Sequence, residues 1–214
     1  MLVRGLPLLT GLLPLLGINL AYWIGADAGV LPSCIPYLDG CTSISAAGRY
    51  PPGDRLFRAV MLPQAVLLGV TWYLAVAWLR SLAPHSKAPR AVLGFGLLGA
   101  AALIIYVSYL GSKEPLYEFM RRFGIYIYFL ATGLAQLILT LALERSRWRQ
   151  AMLWVVITPW ILGLANFAQK ALRADPDMAE NAIEWIVSVL MQVWFMLLYV
   201  GWRKTGFRVA VTTD

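Results

Sequence analysis

Arg49, Arg55 and Arg58 fall within ten residues of one another, in Ser43-Ile44-Ser45-Ala46-Ala47-Gly48-Arg49-Tyr50-Pro51-Pro52-Gly53-Asp54-Arg55-Leu56-Phe57-Arg58. Guanidinium groups bind phosphate through paired, charge-assisted hydrogen bonds. Set at a water–lipid boundary, the cluster is a candidate site for an anionic phosphate headgroup. The alternative is that these arginines pair with Asp54, Glu180 or Glu184 and hold the segment down. Glu184 precedes Trp185 in Glu180-Asn181-Ala182-Ile183-Glu184-Trp185, at the start of an apolar stretch. A carboxylate in a first helical turn is favoured by the helix dipole. Near hydrocarbon it also needs a partner, and Arg58 and Arg122 are the candidates. The headgroup-binding set is therefore Arg49, Arg55, Arg58, Arg122, Glu184 and Trp185.

The residues of nucleophilic catalysis are separated. The single histidine, His85, is in the second connection, whereas Ser43, Ser45, Cys34 and Cys41 are in the first. A nucleophile–base pair would have to bridge a membrane, so the usual arrangement is unavailable. No metal-ligand cluster, phosphate-binding glycine loop or dinucleotide fingerprint occurs, and no cofactor or metal is expected. A carboxylate acid/base remains as the enzymatic alternative, with Glu184 or Asp54 as its candidates.

The elements that must position these groups are six apolar stretches. They run over Leu6–Gly25, Phe57–Leu79, Ala91–Gly111, Phe123–Leu143, Ala151–Gln169 and Ile183–Gly201. Each is long enough for a helix to cross roughly 30 Å of hydrocarbon. A helix satisfies its own backbone there, so the chain reads as an all-α, polytopic bundle of six transmembrane helices. With 214 residues, 60% of them hydrophobic, one bundle uses the whole chain as a single domain.

The net charge of +7 is distributed by loop, which argues for a membrane rather than a nucleic acid as partner. Alternate connections and the termini carry ten basic residues and two acids; the remaining connections carry eight and nine. The positive side is expected to face the cytoplasm, so both termini are placed inside. Arg4, the first apolar run and Ala26-Asp27-Ala28 resemble a cleavable signal. The run is longer than a usual signal core, and a retained anchor is expected. Tyr22, Trp23 and Trp185 at outer helix ends, and Trp78, Trp148 and Trp202 at inner ends, read as an interfacial aromatic belt.

The connection Ala26–Leu56 is about 30 residues long, unusual for a compact bundle and more often functional than accidental. Four prolines prevent it from being one helix. Ile35, Tyr37, Leu38, Ile44 and Phe57 suit packing against helices or lipid headgroups, so a cap over the bundle's outer end is expected. Cys34 and Cys41 both lie in it. A disulfide is expected in an oxidising compartment, with two free thiols as the alternative.

Pro14, Pro63 and Pro159 lie within spans, and Gly94, Gly96 and Gly99 permit close helix approach. Asn19, Gln64, Ser108, Gln136, Asn166 and Gln192 are read mainly as glue between helices. No ionisable residue of the Asp, Glu, Lys or Arg type sits near a midplane, which argues against a proton pump or a charged filter.

Ser43-Ile44-Ser45, Gly48, Pro51-Pro52 and Leu56-Phe57 in the first loop, with Glu184-Trp185 opening the last helix, resemble the DRAM/Frag/Sfk membrane family. That family includes the damage-regulated autophagy modulator and factors that remodel GPI-anchor lipid. The resemblance implies six helices, both ends inside, and a lipid-facing role. Several relatives open the fourth helix with a histidine; here Arg121-Arg122-Phe123-Gly124 stands there, so any chemistry of that histidine is not available. The Ala-, Leu- and Arg-rich composition points to a bacterial inner membrane and excludes a GPI anchor as substrate. The expected function is phospholipid binding at the outer leaflet. The alternatives are a lipid-remodelling enzyme and an accessory subunit, with a membrane protein or a second copy as partner.

Overall fold

The computed structural model describes residues 2–111, 114–172 and 177–208. Lys113, Arg173, Asp175 and Asp214, which enter the charge count, lie outside them. The described chain is helical: α1 (Leu6–Asp27), two single turns α2 (Pro36–Asp39) and α3 (Ile44–Ala47), then α4 (Gly53–Leu82), α5 (Ala88–Tyr109), α6 (Pro115–Ala142), α7 (Arg147–Leu172) and α8 (Asp177–Lys204). Six of these helices are long and apolar enough to cross a membrane. The protein is a multi-pass six-helix membrane bundle.

The helices overrun the apolar stretches, most clearly at α6, which begins at Pro115 rather than Phe123. Pro115 is preorganised for the first helical turn and Glu118 faces the positive end of the dipole. Those turns are polar on one side, so hydropathy alone passes over them.

The six helices form a ring in chain order: α1 packs on α4, α4 on α5, α5 on α6, α7 on α8, and α8 closes onto α1. The seam between α6 and α7 is the thinnest of the ring. Only 11% of the apolar window of α7 is buried, against 39% or 44% in the other five spans. An aromatic cluster holds the centre, with the Trp72 ring of α4 centred 5.7 Å from Trp194 and, edge-on, 5.4 Å from Phe195 of α8. Gly96 lies directly on Trp72 and Gly99 on Thr132, where a Cβ would collide; Gly94 faces open space.

Pro14 has no N–H to offer the carbonyl of Thr10 one turn earlier. Gln64 of α4 donates its amide to that carbonyl at 2.7 Å instead. Other amides also join elements: the half-buried Asn19 donates to the Tyr37 hydroxyl, the buried Gln136 donates to Met191 O, and the buried Gln192 bonds Tyr128.

The expected aromatic belt is corrected in part. Trp23 is 67% exposed, but Trp78, Trp185 and Trp202 are fully buried. Three indoles at the helix ends find protein acceptors: Trp78 on Thr205, Trp148 on Leu197 O and Trp185 on Thr42 O. These indoles close the ends of the core, which suits a side chain with a large apolar body and one donor.

The first loop folds over one end of the bundle. Tyr22 of α1 donates to Cys34 O at 2.8 Å and accepts from Cys34 N at 3.0 Å. Asn181 of α8 donates to Gly40 O, and Trp185 to Thr42 O, both at 2.9 Å. Cys34 and Cys41 pair as a disulfide, with Cα atoms 6.6 Å apart. Ile44 and Phe57 are buried, while Ile35 and Leu38 stand exposed along the cap's outer surface. At the opposite end of the bundle Arg4, ahead of α1, donates to Phe207 O and Gly206 O, which follow α8.

Candidate functional site

Under the first loop lies a cavity of about 660 Å³, bounded by the loop, α6, α7 and α8. The loop contributes Ser43, Ser45 and Arg49; α6 contributes Glu118, Arg121 and Arg122. From α8 come Glu180, Asn181 and Glu184, spaced so that successive turns present them to one side.

Local structure explains how Arg49 and Glu184 reach the same chamber. Ser43 caps the single turn α3, its side chain accepting from Ala46 N. That turn aims the backbone N–H groups of Ile44 and Ser45 at the Glu184 carboxylate, which accepts from both. Ser45 also exchanges a hydrogen bond of 2.9 Å with the buried Tyr106 of α5. The chain then leaves α3 through Gly48, whose face lies against the ring of Phe57, and delivers Arg49 beside the chamber. Trp185, one residue after Glu184, points to the other side and packs edge-on against Tyr22 and Tyr37. Burial beneath the loop pushes the Tyr37 hydroxyl up from its ordinary value, and its bond to Asn19 works the other way.

The structure divides the sequence-predicted site residues. Arg49, Arg122 and Glu184 line the chamber. Arg55 does not; it stands exposed on α4. Arg58 is turned to the end of α5, donating to Ser108 O and Leu110 O, carbonyls that the helix terminus leaves without intrahelical donors. The expected Glu184 pair with Arg58 or Arg122 is therefore corrected: Glu184 is held by loop backbone, and Arg122 pairs with Glu118 at 3.1 Å. The lever arm decides this, since Arg122 and Glu118 sit one helical turn apart on α6. Asp54 lies in the first turn of α4, outside the chamber, with Oδ1 buried and without a hydrogen-bond partner.

Arg121, Asn166 and Glu180 join the chamber without having been in the expected set. Arg121 also pairs with Glu118, at 3.6 Å. The signal for Arg121 was in the sequence, as an arginine pair opening the fourth apolar stretch. Two buried polar atoms on the chamber residues lack partners: the donor Arg49 Nε and the acceptor Asn166 Oδ1.

Below the chamber an apolar groove of about 390 Å³ runs between α6, α7 and α8. The two spaces adjoin, with Tyr126, Phe129 and Val187 on the walls of both. The groove extends along α6 from Tyr126 to Gln136, roughly 15 Å at a helical rise of ~1.5 Å per residue. That is about half of a ~30 Å hydrocarbon layer, one leaflet. It follows the thin α6–α7 seam, and its rim residues Tyr126 and Leu164 are 65% and 72% exposed. A charged chamber at one end of a bundle, beside an apolar slot one leaflet deep, suits a molecule with an ionic head and an alkyl tail.

Comparison of the chain with protein-family models, with curated proteins and with solved structures gives no match.

Proposed function

We propose that this is a phospholipid-binding protein of a bacterial inner membrane, with the first loop outside and both termini in the cytoplasm. One observation carries the reading: the arginine-bearing chamber and the apolar groove adjoin, with Tyr126, Phe129 and Val187 lining both. A lipid phosphate would take hydrogen bonds from Arg49 and Arg121, which both line the chamber. One acyl chain would fill the groove, entering sideways between α6 and α7. The sidedness follows from the excess of Lys and Arg over acids in the connections on the terminal side. The resemblance of the first loop and of Glu184-Trp185 to DRAM/Frag/Sfk proteins points the same way.

The test is the lipid that travels with the protein in mild detergent, compared with the bulk membrane extract. Enrichment of one phospholipid class is expected; a profile equal to the bulk would contradict the reading.

A second reading, lipid remodelling, is favoured by one observation: the Glu184 carboxylate stands on the chamber wall, within reach of a bound headgroup. It requires a product. Purified protein in liposomes must change a headgroup or an acyl chain, and Glu184→Gln must abolish that change.

A further inference from the structure

The apolar groove is open toward the loop and blind at its other end. On the loop side α6 and α7 stand apart: Gly163 of α7 faces open space, and the adjacent Leu164 is 72% exposed. Further in, the two helices close. Trp160 of α7 lies over Gly133 of α6, where an added Cβ would come within 3.3 Å of the indole. About one turn deeper, Gln136 donates to Met191 O at 3.0 Å and ties α6 to α8. Gln136, Met191 and Val156 all line the groove, and none is more than 4% exposed.

The next turn inward is packed solid. Leu139 follows Gln136 on the same side of α6, and Met152 precedes Val156 on the same side of α7. Both are fully buried. Trp194 of α8 reaches this layer, its indole donating to Thr140 Oγ1 at 2.9 Å. Arg149 of α7 donates to Thr140 O at 3.0 Å and pins the seam shut at that level.

We infer that the groove gauges the length of the acyl chain it holds, with Gln136, Val156 and Met191 as its floor. This rests on the phospholipid reading above and adds the chain class. The slot runs from Tyr126 to Gln136, roughly 15 Å at ~1.5 Å per residue. An extended polypeptide advances ~3.5 Å over three bonds, so an extended alkyl chain advances ~1.2 Å per bond and about twelve carbons reach the floor. A shorter chain leaves the floor side chains without partner atoms. A longer chain meets a close-packed layer and has to bend out through the seam. Val156 is the specificity-determining residue best placed to move the floor, because its side chain ends the slot without joining two helices by a hydrogen bond.

The experiment is native mass spectrometry of the full chain, delipidated and re-exposed to phosphatidylethanolamines and phosphatidylglycerols. Each series has saturated chains running from about eight to about eighteen carbons. Retention should peak near about twelve carbons and fall at least about threefold by about eighteen. Val156→Ala deepens the floor and should move the peak to longer chains. Val156→Leu raises it and should move the peak to shorter ones. Chain-dependent solubility is common to all three proteins, so the shift between them is the readout; a merely structural role would lower retention of every length alike. Retention independent of length, or a peak that stays in place in both variants, would overturn the gauge and leave phospholipid binding standing. Failure to retain any member of either series would overturn both.

Discussion

Trp185 donates its indole N–H to the Thr42 carbonyl at 2.9 Å, and the adjacent Glu184 holds the N–H groups of Ile44 and Ser45. Two neighbouring residues of α8 thus grip the same four-residue piece of the loop, Thr42 to Ser45, from different sides. The piece includes Ser45 and leads to Arg49, so the roof of the chamber is fixed by α8, which also lines it. Trp185→Phe keeps the ring packing on Tyr22 and Tyr37 and removes one buried bond. A loss of about 1–2 kcal/mol is expected. Hydrogen exchange at the amides of residues 42–47 should accelerate accordingly, while exchange in α4 and α5 stays unchanged.

Gln64 stands in for the N–H that Pro14 lacks. It is 1% exposed, so Gln64→Leu leaves the Thr10 carbonyl buried and without its interhelical donor. The expected cost is about 1–3 kcal/mol, read as a lower unfolding midpoint in detergent. Replacing Pro14 with Ala in the same background restores the intrahelical donor. The double variant should recover much of the loss, a coupling that independent sites do not show.

Much of this architecture is legible in the sequence. The six apolar stretches give the spans, because hydrocarbon admits few other backbone arrangements. Pro14 and Gln64 are each visible as unusual residues in a span. Their pairing is not, since it depends on which faces of α1 and α4 meet. The chamber is half legible for the same reason. Glu184 and Arg49 declare themselves by charge beside apolar stretches. Arg58 declares itself just as clearly and yet caps α5, because a charge pattern does not say whether the nearest partner is a ligand or a helix end. Asn166 reads as glue, and its place on the chamber wall follows from the loose packing of α7, which hydropathy does not report.

Gly163 lines the groove, and a Cβ added there would meet nothing within 4 Å. Gly163→Phe should therefore fill the slot without strain. Phospholipid retention is expected to fall about tenfold or more while the unfolding midpoint holds or rises. Unchanged phospholipid retention would place the tail elsewhere.

The disulfide closes a loop with a sequence separation of 7 residues. For a loop that short, chain entropy accounts for about 2–3 kcal/mol. Cys34→Ser with Cys41→Ser should lower the unfolding midpoint by a corresponding amount and leave the α6–α8 groove intact. Protein purified without reductant should resist thiol alkylation until it is reduced.

The central claim is that guanidinium groups in the chamber hold a lipid phosphate. The direct measurement is the phospholipid retained per protein molecule by wild type, Arg121→Ala and Arg55→Ala, purified side by side. Arg121 lines the chamber and Arg55 does not. Loss of one charge-assisted contact corresponds to about 1.5–3 kcal/mol, roughly ten- to hundredfold in affinity. The account predicts depleted phospholipid in Arg121→Ala and an unchanged load in Arg55→Ala. Equal loads in all three proteins would contradict it.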